Sequence, residues 1–234
     1  MSEPVQRQRT IGVLGGMGPA ATVDFLAKII AATPAVRDQD HVPVIVRNVP
    51  QIPDRSEAIL AGGDGPFRPM LEGLKVLEQA GAEVLAIPCN TAHHWHARLS
   101  RVCERPILHI AEAAAAKLAG RRGAPVGLMA TRGTLASGLY QARLGALVLP
   151  DEEAQAAIDA AIAAVKAGRP GRAEAESAAR RLLAGGARSL LLACTELPLA
   201  MAGGSLGGYC VDATLALAEA CVAASRARPD PVPV

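Results

Sequence analysis

Two stretches of this chain share one frame: Gly81-Ala-Glu-Val-Leu-Ala-Ile-Pro-Cys89-Asn-Thr and Gly186-Ala-Arg-Ser-Leu-Leu-Leu-Ala-Cys194-Thr-Glu. Each opens on Gly-Ala, runs through a mostly apolar segment and delivers a cysteine into polar residues at the same distance from its glycine. An apolar run of this length followed by polar residues reads as a buried parallel strand whose carboxyl end is exposed. Open α/β sheets place their ligands at that edge. Two thiols delivered to two such edges predict one chemical group on each side of a common cleft.

A second recurrence supports a duplicated fold. Ile11-Gly-Val-Leu-Gly-Gly-Met-Gly18 is echoed in spacing by Val126-Gly-Leu-Met-Ala-Thr-Arg-Gly133, after a turn at Arg121-Arg-Gly-Ala-Pro125. In the first half the pattern predicts a helix over 19–32, a strand over 42–46, an irregular loop over 48–55 and a helix over 68–80. The first cysteine strand follows, then a helix from Thr91, a strand-like 106–110 and an Ala-rich helix over 111–119. In the second half it predicts helices over 134–144, 151–167 and 174–184, with a short strand over 146–149. The tail 212–226 is predicted helical and the Pro-rich end 228–234 frayed. Alternating strands and helices argue for parallel sheets. The expected fold is α/β: two similar Rossmann-like lobes, 1–119 and 120–211, related by a pseudo-twofold axis across the cleft. The helix 212–226 is expected to pack back on the first lobe.

The 234 residues suffice for two such lobes. Aromatic residues make up only 2% of the chain, which leaves few platforms for stacked bases, and the net charge of +2 with scattered basic residues makes no nucleic-acid surface. Apolar runs are too short for a membrane span, and the glycines and Pro19 after Ile11 suit a strand and turn better than a signal peptide. A cytoplasmic location is expected. The five cysteines form no C-x-x-C pair, so neither a disulfide scaffold nor a zinc cluster is supported.

The glycine run Gly12-x-x-Gly15-Gly16-x-Gly18 matches a dinucleotide fingerprint only loosely, because the next strand ends in Arg47-Asn48 where an acidic residue would hold ribose. Backbone N–H groups at a helix N-terminus, approaching a small carboxylate, fit it better. Cys89 is followed by Asn90-Thr91 and Cys194 by Thr195-Glu196; Asn and Thr are good N-caps, and a thiol ahead of a helix N-terminus is favoured as thiolate. Cys103, Cys210 and Cys221 read as packing. The run His93-His-Trp-His96 lacks a ligand partner at a metal spacing and reads as a helix surface, so no metal site is expected. Arg55 and Lys166 are cations that could grip a carboxylate, though surface charge is the commoner reading of such residues.

Taken in order, Ile11–Pro19, Thr33–His41, Gln51-Ile-Pro-Asp-Arg55, Pro88-Cys-Asn-Thr-Ala-His93, Ala130-Thr-x-Gly-Thr134, Val165-Lys-Ala-Gly168 and Ala193-Cys-Thr-Glu196 resemble the motifs of the aspartate/glutamate racemase family, in its aspartate racemase branch. The resemblance covers nearly the whole chain. It implies racemisation of aspartate, with glutamate as a second candidate, without any cofactor and in a homodimer. Cys89 and Cys194 are the implied acid and base on opposite faces of the α-carbon, exchanging roles with direction. Arg55 and Lys166 are implied to hold the side-chain carboxylate of an acidic amino acid. Asn90, Thr91, Ala92, Thr195 and Glu196 are implied around the carbanion, and Met17, Gln51 and Thr131 are further expected contacts.

Arg132 departs from the family pattern, which has a small polar residue there. Pointing inward, it would change the charge preference; pointing outward, it would change nothing. Three other functions stay open at this stage: a single-cysteine decarboxylase or cis–trans isomerase of a small diacid, a non-catalytic binder of acidic amino acids, and, least favoured, a nicotinamide oxidoreductase.

Overall fold

Every strand of the computed structural model is parallel to its neighbours, and the strands fall into two sheets. Residues 7–121 and 123–227 are described; the chain start, Arg122 in the expected turn and the end expected to fray lie outside them. In the first half, β1 (Ile11–Gly15) leads into α1 (Pro19–Ala32) and β2 (Val44–Asn48). Next come α2 (Arg55–Leu60), α3 (Phe67–Gln79) and β3 (Val84–Ala86), then α4 (His96–Val102) and α5 (Ile110–Leu118). The second half runs β4 (Val126–Ala130), α6 (Arg132–Ala136), β5 (Leu147–Val148), α7 (Glu152–Lys166), α8 (Arg172–Ala184), β6 (Ser189–Ala193), α9 (Leu197–Met201), β7 (Cys210–Asp212) and α10 (Ala213–Arg226).

The sheet orders are β2-β1-β3 and β5-β4-β6-β7. They correspond: the opening strand is central in each, with the cysteine strand beside it. Beyond β3 a single parallel bridge, Leu85 to Ile107, occupies the place that β7 takes beyond β6. The repeated Gly in Ile11-Gly and Val126-Gly has one physical cause. A Cβ on Gly12 would meet Ala82 Cβ at 2.6 Å and Leu77 Cβ at 3.2 Å; one on Gly127 would meet Ala187 Cβ and Leu182 Cβ, both at 3.1 Å. In both halves the alanine of the Gly-Ala frame and a leucine of the helix before it, in α3 or α8, close over the central strand at this glycine. The recurrence seen in the sequence is therefore a packing recurrence.

Helices α1, α5 and α10 pack between the sheets, and one apolar core runs from Ile11, Val13 and Phe25 through Leu217 to Leu128, Leu191 and Ala193. Helix α3 covers the outer face of the first sheet, and α7 and α8 that of the second. The C-terminal helix lies against α1, and the Arg9 N–H donates to the Ser225 carbonyl at 2.9 Å. With so few aromatics, the core is built of aliphatic side chains; of the rings present, Phe25, Trp95 and Tyr140 are buried. No helix among the described residues is long and apolar enough to cross a membrane.

Several local expectations change. The second strand is displaced to Val44–Asn48, after Pro43, which has no N–H to give a ladder. The strand-like 106–110 reduces to the Ile107 bridge, because α5 already begins at Ile110. The helix expected over 134–144 is the short α6 followed by turns, since Gly138 takes the left-handed φ of 68° and ends it. Helix α2 and strand β7 were not anticipated. Each spans six residues or fewer, too few for a periodicity to emerge.

Candidate active site

The carboxyl ends of β3 and β6 face each other across a narrow cavity. Met17, Asp54, Arg55, Ser56, Cys89, Asn90, Thr91, Thr131, Lys166, Cys194, Thr195 and Glu196 line it. Asp54, Arg55, Lys166 and Glu196 also line a wider vestibule, bounded by Gly16, Pro19, Pro50, Ile52 and Val165, and so stand where the two spaces join. Gly16, at φ 97°, allows the turn after β1: a Cβ there would lie 2.4 Å from the Val49 carbonyl carbon. The close approach holds the loop that leads to Arg55 against the end of β1.

Cys89 stands three residues beyond β3, in a backbone fixed from beneath. His93 Nδ1 lies 2.9 Å from the Cys89 carbonyl, and the Ile110 N–H donates to His93 Nε2 at 3.1 Å. A ring nitrogen that receives an N–H carries no proton, so Nδ1 holds it and donates to Cys89. Burial pushes the His93 imidazole down to about 4, which keeps it neutral. His96 and His109 pack against His93, with ring centroids 5.5 and 4.9 Å from it. The histidine run is therefore a buried support and not the expected helix surface, although His94 is exposed. Among the described residues no group of His, Cys, Asp and Glu could hold a metal ion.

Cys194 follows β6 directly and is buried. Its thiol donates to Glu196 Oε2 at 3.1 Å, and the Thr195 hydroxyl donates to the same oxygen at 3.1 Å. Burial first, and then the charge of Glu196, push this thiol well above its ordinary value. The sequence expectation of a helix-favoured thiolate fails at this position. The following helix α9 has only five residues, and the nearer carboxylate outweighs so short a dipole. The capping expectation fails as well: Asn90 makes no side-chain cap, and the Thr195 hydroxyl is given to Glu196 instead.

The polar side chains after Cys89 instead cross to the second half. Thr91 Oγ1 lies 3.0 Å from Thr131 Oγ1 and 2.9 Å from Thr134 Oγ1, and Thr131 Oγ1 donates to Thr134 Oγ1 at 3.0 Å. The Asn90 Oδ1 accepts from the buried Tyr140 hydroxyl. Helices α2 and α6 also meet across the seam, where a Cβ on Gly133 would lie 2.5 Å from Ser56 Cα.

Arg55 opens α2 behind Asp54, whose Oδ1 accepts from the Ser56 and Glu57 N–H groups at 2.8 and 3.0 Å. One arm of its guanidinium, Nη1, donates to the Ile52 and Pro53 carbonyls at 3.1 and 3.0 Å; Nε is buried without a partner. Lys166 ends α7, which Asp151 caps at its start. Among the described residues neither Arg55 nor Lys166 pairs with a carboxylate. Two cations without counter-ions at the neck of the cavity are suited to an anionic group. Arg132 turns away: Nε donates to Asp159 Oδ2 at 2.7 Å, and its two Nη atoms to the Glu152 carboxylate at 3.1 and 2.6 Å.

Two expected contacts lie outside the lining. Gln51 is exposed in a turn, and Ala92 packs with Trp95 and Leu99 in the core behind Cys89. Asp54 and Ser56 line the cavity without having been anticipated. The Asp-Arg-Ser-Glu run carries an N-cap signal that could have revealed the helix start.

Comparisons with known proteins identify the fold and the family. The structure superposes on the aspartate racemase of Picrophilus torridus with a TM-score of 0.84 and 31% sequence identity, covering 95% of this chain and 96% of that one. Glutamate racemase from Thermus thermophilus shares the fold, with a TM-score of 0.68 at 20% identity over 96% of this chain and 85% of that one. The broad specificity amino-acid racemase RacX of Bacillus subtilis is 29% identical over 166 residues, 67% of this chain and 70% of the relative. The family model for Asp/Glu/hydantoin racemases matches residues 14–221. A cavity flanked by paired cysteines, on a duplicated parallel α/β fold matched over this length, makes the chain a member of the Asp/Glu/hydantoin racemase family.

Proposed function

We propose that the protein racemises an acidic amino acid, aspartate in the first place and glutamate second, by proton transfer between Cys89 and Cys194 without a cofactor. The observation that carries this reading is that one cavity is lined by both thiols and by two cations that pair with no carboxylate among the described residues. A Cys89 thiolate takes the α-proton from one face of the substrate, forming S–H as the C–H bond breaks. The Cys194 thiol returns its proton to the opposite face, leaving a thiolate. The reverse direction exchanges the roles, and no net proton or electron is consumed.

Arg55 and Lys166 are suited to the side-chain carboxylate, which a neutral side chain would leave unpaired. Glu196 supplies a negative charge within reach of an α-ammonium group. The hydroxyls of Thr91 and Thr131, held by their mutual hydrogen bonds, face the charge that builds on the α-carboxylate as the proton departs. A homodimer, two lobes dividing near residue 120 and a cytoplasmic location belong to the same proposal. The deciding experiment is α-deuterium exchange: purified protein in D2O, with no cofactor added, incorporates deuterium into both enantiomers of aspartate. Absence of exchange into aspartate, glutamate or any other amino acid across about pH 6.5 to 10.5, roughly two units either side of the ordinary value of a free thiol, rejects the reading.

A further inference from the structure

We infer that Tyr140 is a positioning residue: its hydroxyl fixes the amide of Asn90 so that Nδ2 projects into the cavity as a donor for a substrate carboxylate. Three observations support this. First, Tyr140 and Asn90 are both buried, at 0% and 2% exposure, and stand in opposite halves of the chain. Second, the Tyr140 hydroxyl donates to Asn90 Oδ1, the one partner it has among the described residues. Third, Asn90 Nδ2 is buried with no partner, while Asn90 itself lines the cavity.

The two ends of an Asn side chain differ only in hydrogen-bonding capacity, so a neighbour must decide which end faces which way. A phenol that stays protonated demands an acceptor, and burial pushes this phenol far above its ordinary range. Reversing the amide would leave the Tyr140 proton without an acceptor in an apolar surrounding, where an orphaned donor is costly. The amide oxygen is thereby committed to Tyr140, and both hydrogens of Nδ2 stay with the cavity side. Such a donor, next to Cys89, suits the carboxylate that gains charge when the α-proton leaves. Tyr140 thus acts from the second half on a group delivered by the first.

This inference rests on the racemase reading and is tested by a double-mutant cycle on kcat/KM for aspartate. Asn90→Ala is expected to lower it about fiftyfold, and Tyr140→Phe alone about tenfold, the size of a well-placed hydrogen bond. In the Asn90→Ala background Tyr140→Phe changes kcat/KM by less than about twofold, because its target is gone. Independent effects that multiply in the double variant overturn the inference, since a tyrosine that only packs would act alike in both backgrounds. If Tyr140→Phe does not fold, Asn90→Asp serves: it keeps an acceptor for Tyr140 and removes the donor. Succinate binding by calorimetry then falls at least about tenfold, and unchanged binding overturns the assignment. A wild-type protein that exchanges no α-deuterium rejects the racemase reading. Exchange with multiplying effects rejects only the role of Tyr140.

Discussion

The Cys194 thiol donates a hydrogen bond to Glu196 Oε2 at 3.1 Å, two residues further along its own chain. No equivalent carboxylate follows Cys89, where Asn90 and Thr91 stand instead. The pseudo-symmetric fold therefore carries an asymmetric pair of thiols. Burial and the Glu196 charge hold Cys194 as a thiol, so in the proposed racemisation it starts as the acid, opposite Cys89 as the base.

If both cysteines carry protons, neither can be spared. Cys89→Ser and Cys194→Ser are each expected to lower kcat for racemisation at least about a thousandfold, since serine does not ionise near neutrality and general acid–base catalysis contributes on this order. Stopped polarimetry or chiral chromatography on both enantiomers measures it. A variant that retains substantial turnover points to a single-cysteine reaction instead.

Glu196→Gln removes a negative charge beside Cys194 while keeping the shape of the side chain. A nearby anion raises a thiol's pKa, so its removal lowers it. In the direction that uses Cys194 as acid, the alkaline limb of kcat/KM should move down by about one pH unit. In the direction that uses Cys194 as base, the acid limb should move the same way. The full pH–rate profile reads both limbs; limbs that stay in place or rise would show that Glu196 does not set the thiol.

The two cations at the neck are expected to select for a second carboxylate. Arg55→Ala and Lys166→Ala should each raise KM for aspartate roughly tenfold or more, as charged hydrogen bonds do, while leaving any turnover of alanine within about twofold. Arg132→Thr should leave both within about twofold, because its guanidinium is engaged by Glu152 and Asp159 on α7. Steady-state kinetics on the two substrates decides the matter, and a large Arg132 effect on aspartate alone would place that residue in the substrate's field.

His93 predicts how stability varies with acid. Its folded pKa, about 4, lies below the ordinary value of 6.5, so the unfolded chain binds the proton more readily. Stability is then full above pH 6.5 and is lost as pH falls toward 4, by about 3 kcal/mol for this buried group. His109, pushed down to about 2 by burial, acts in the same sense. Urea midpoints at pH 7 and at about pH 4.5 should differ less in His93→Gln than in the wild type, and equal differences would exclude this source of acid sensitivity.

What local sequence determines here is what repeats or caps. The Gly-Ala-apolar-Cys frames located both thiols at strand ends, because burial on both faces of a parallel strand leaves a continuous apolar signature. The Ile-Gly and Val-Gly openings located the two central strands, because the alanine of each Gly-Ala frame and the helix before it leave little room for a Cβ there. Eight of the ten substrate contacts that the family resemblance implied line the cavity, most of them beside a cysteine, a strand end or a helix end. Tertiary structure decided what depends on partners distant in the chain. Tyr140 meets Asn90, and Thr131 and Thr134 meet Thr91, only once the halves close on each other, while Arg132 is drawn to α7 by folding within the second half. The protonation of Cys194 belongs to the same class. A five-residue helix argued for a thiolate, but desolvation and the carboxylate of Glu196 exist only in the folded cavity, and together they outweigh it.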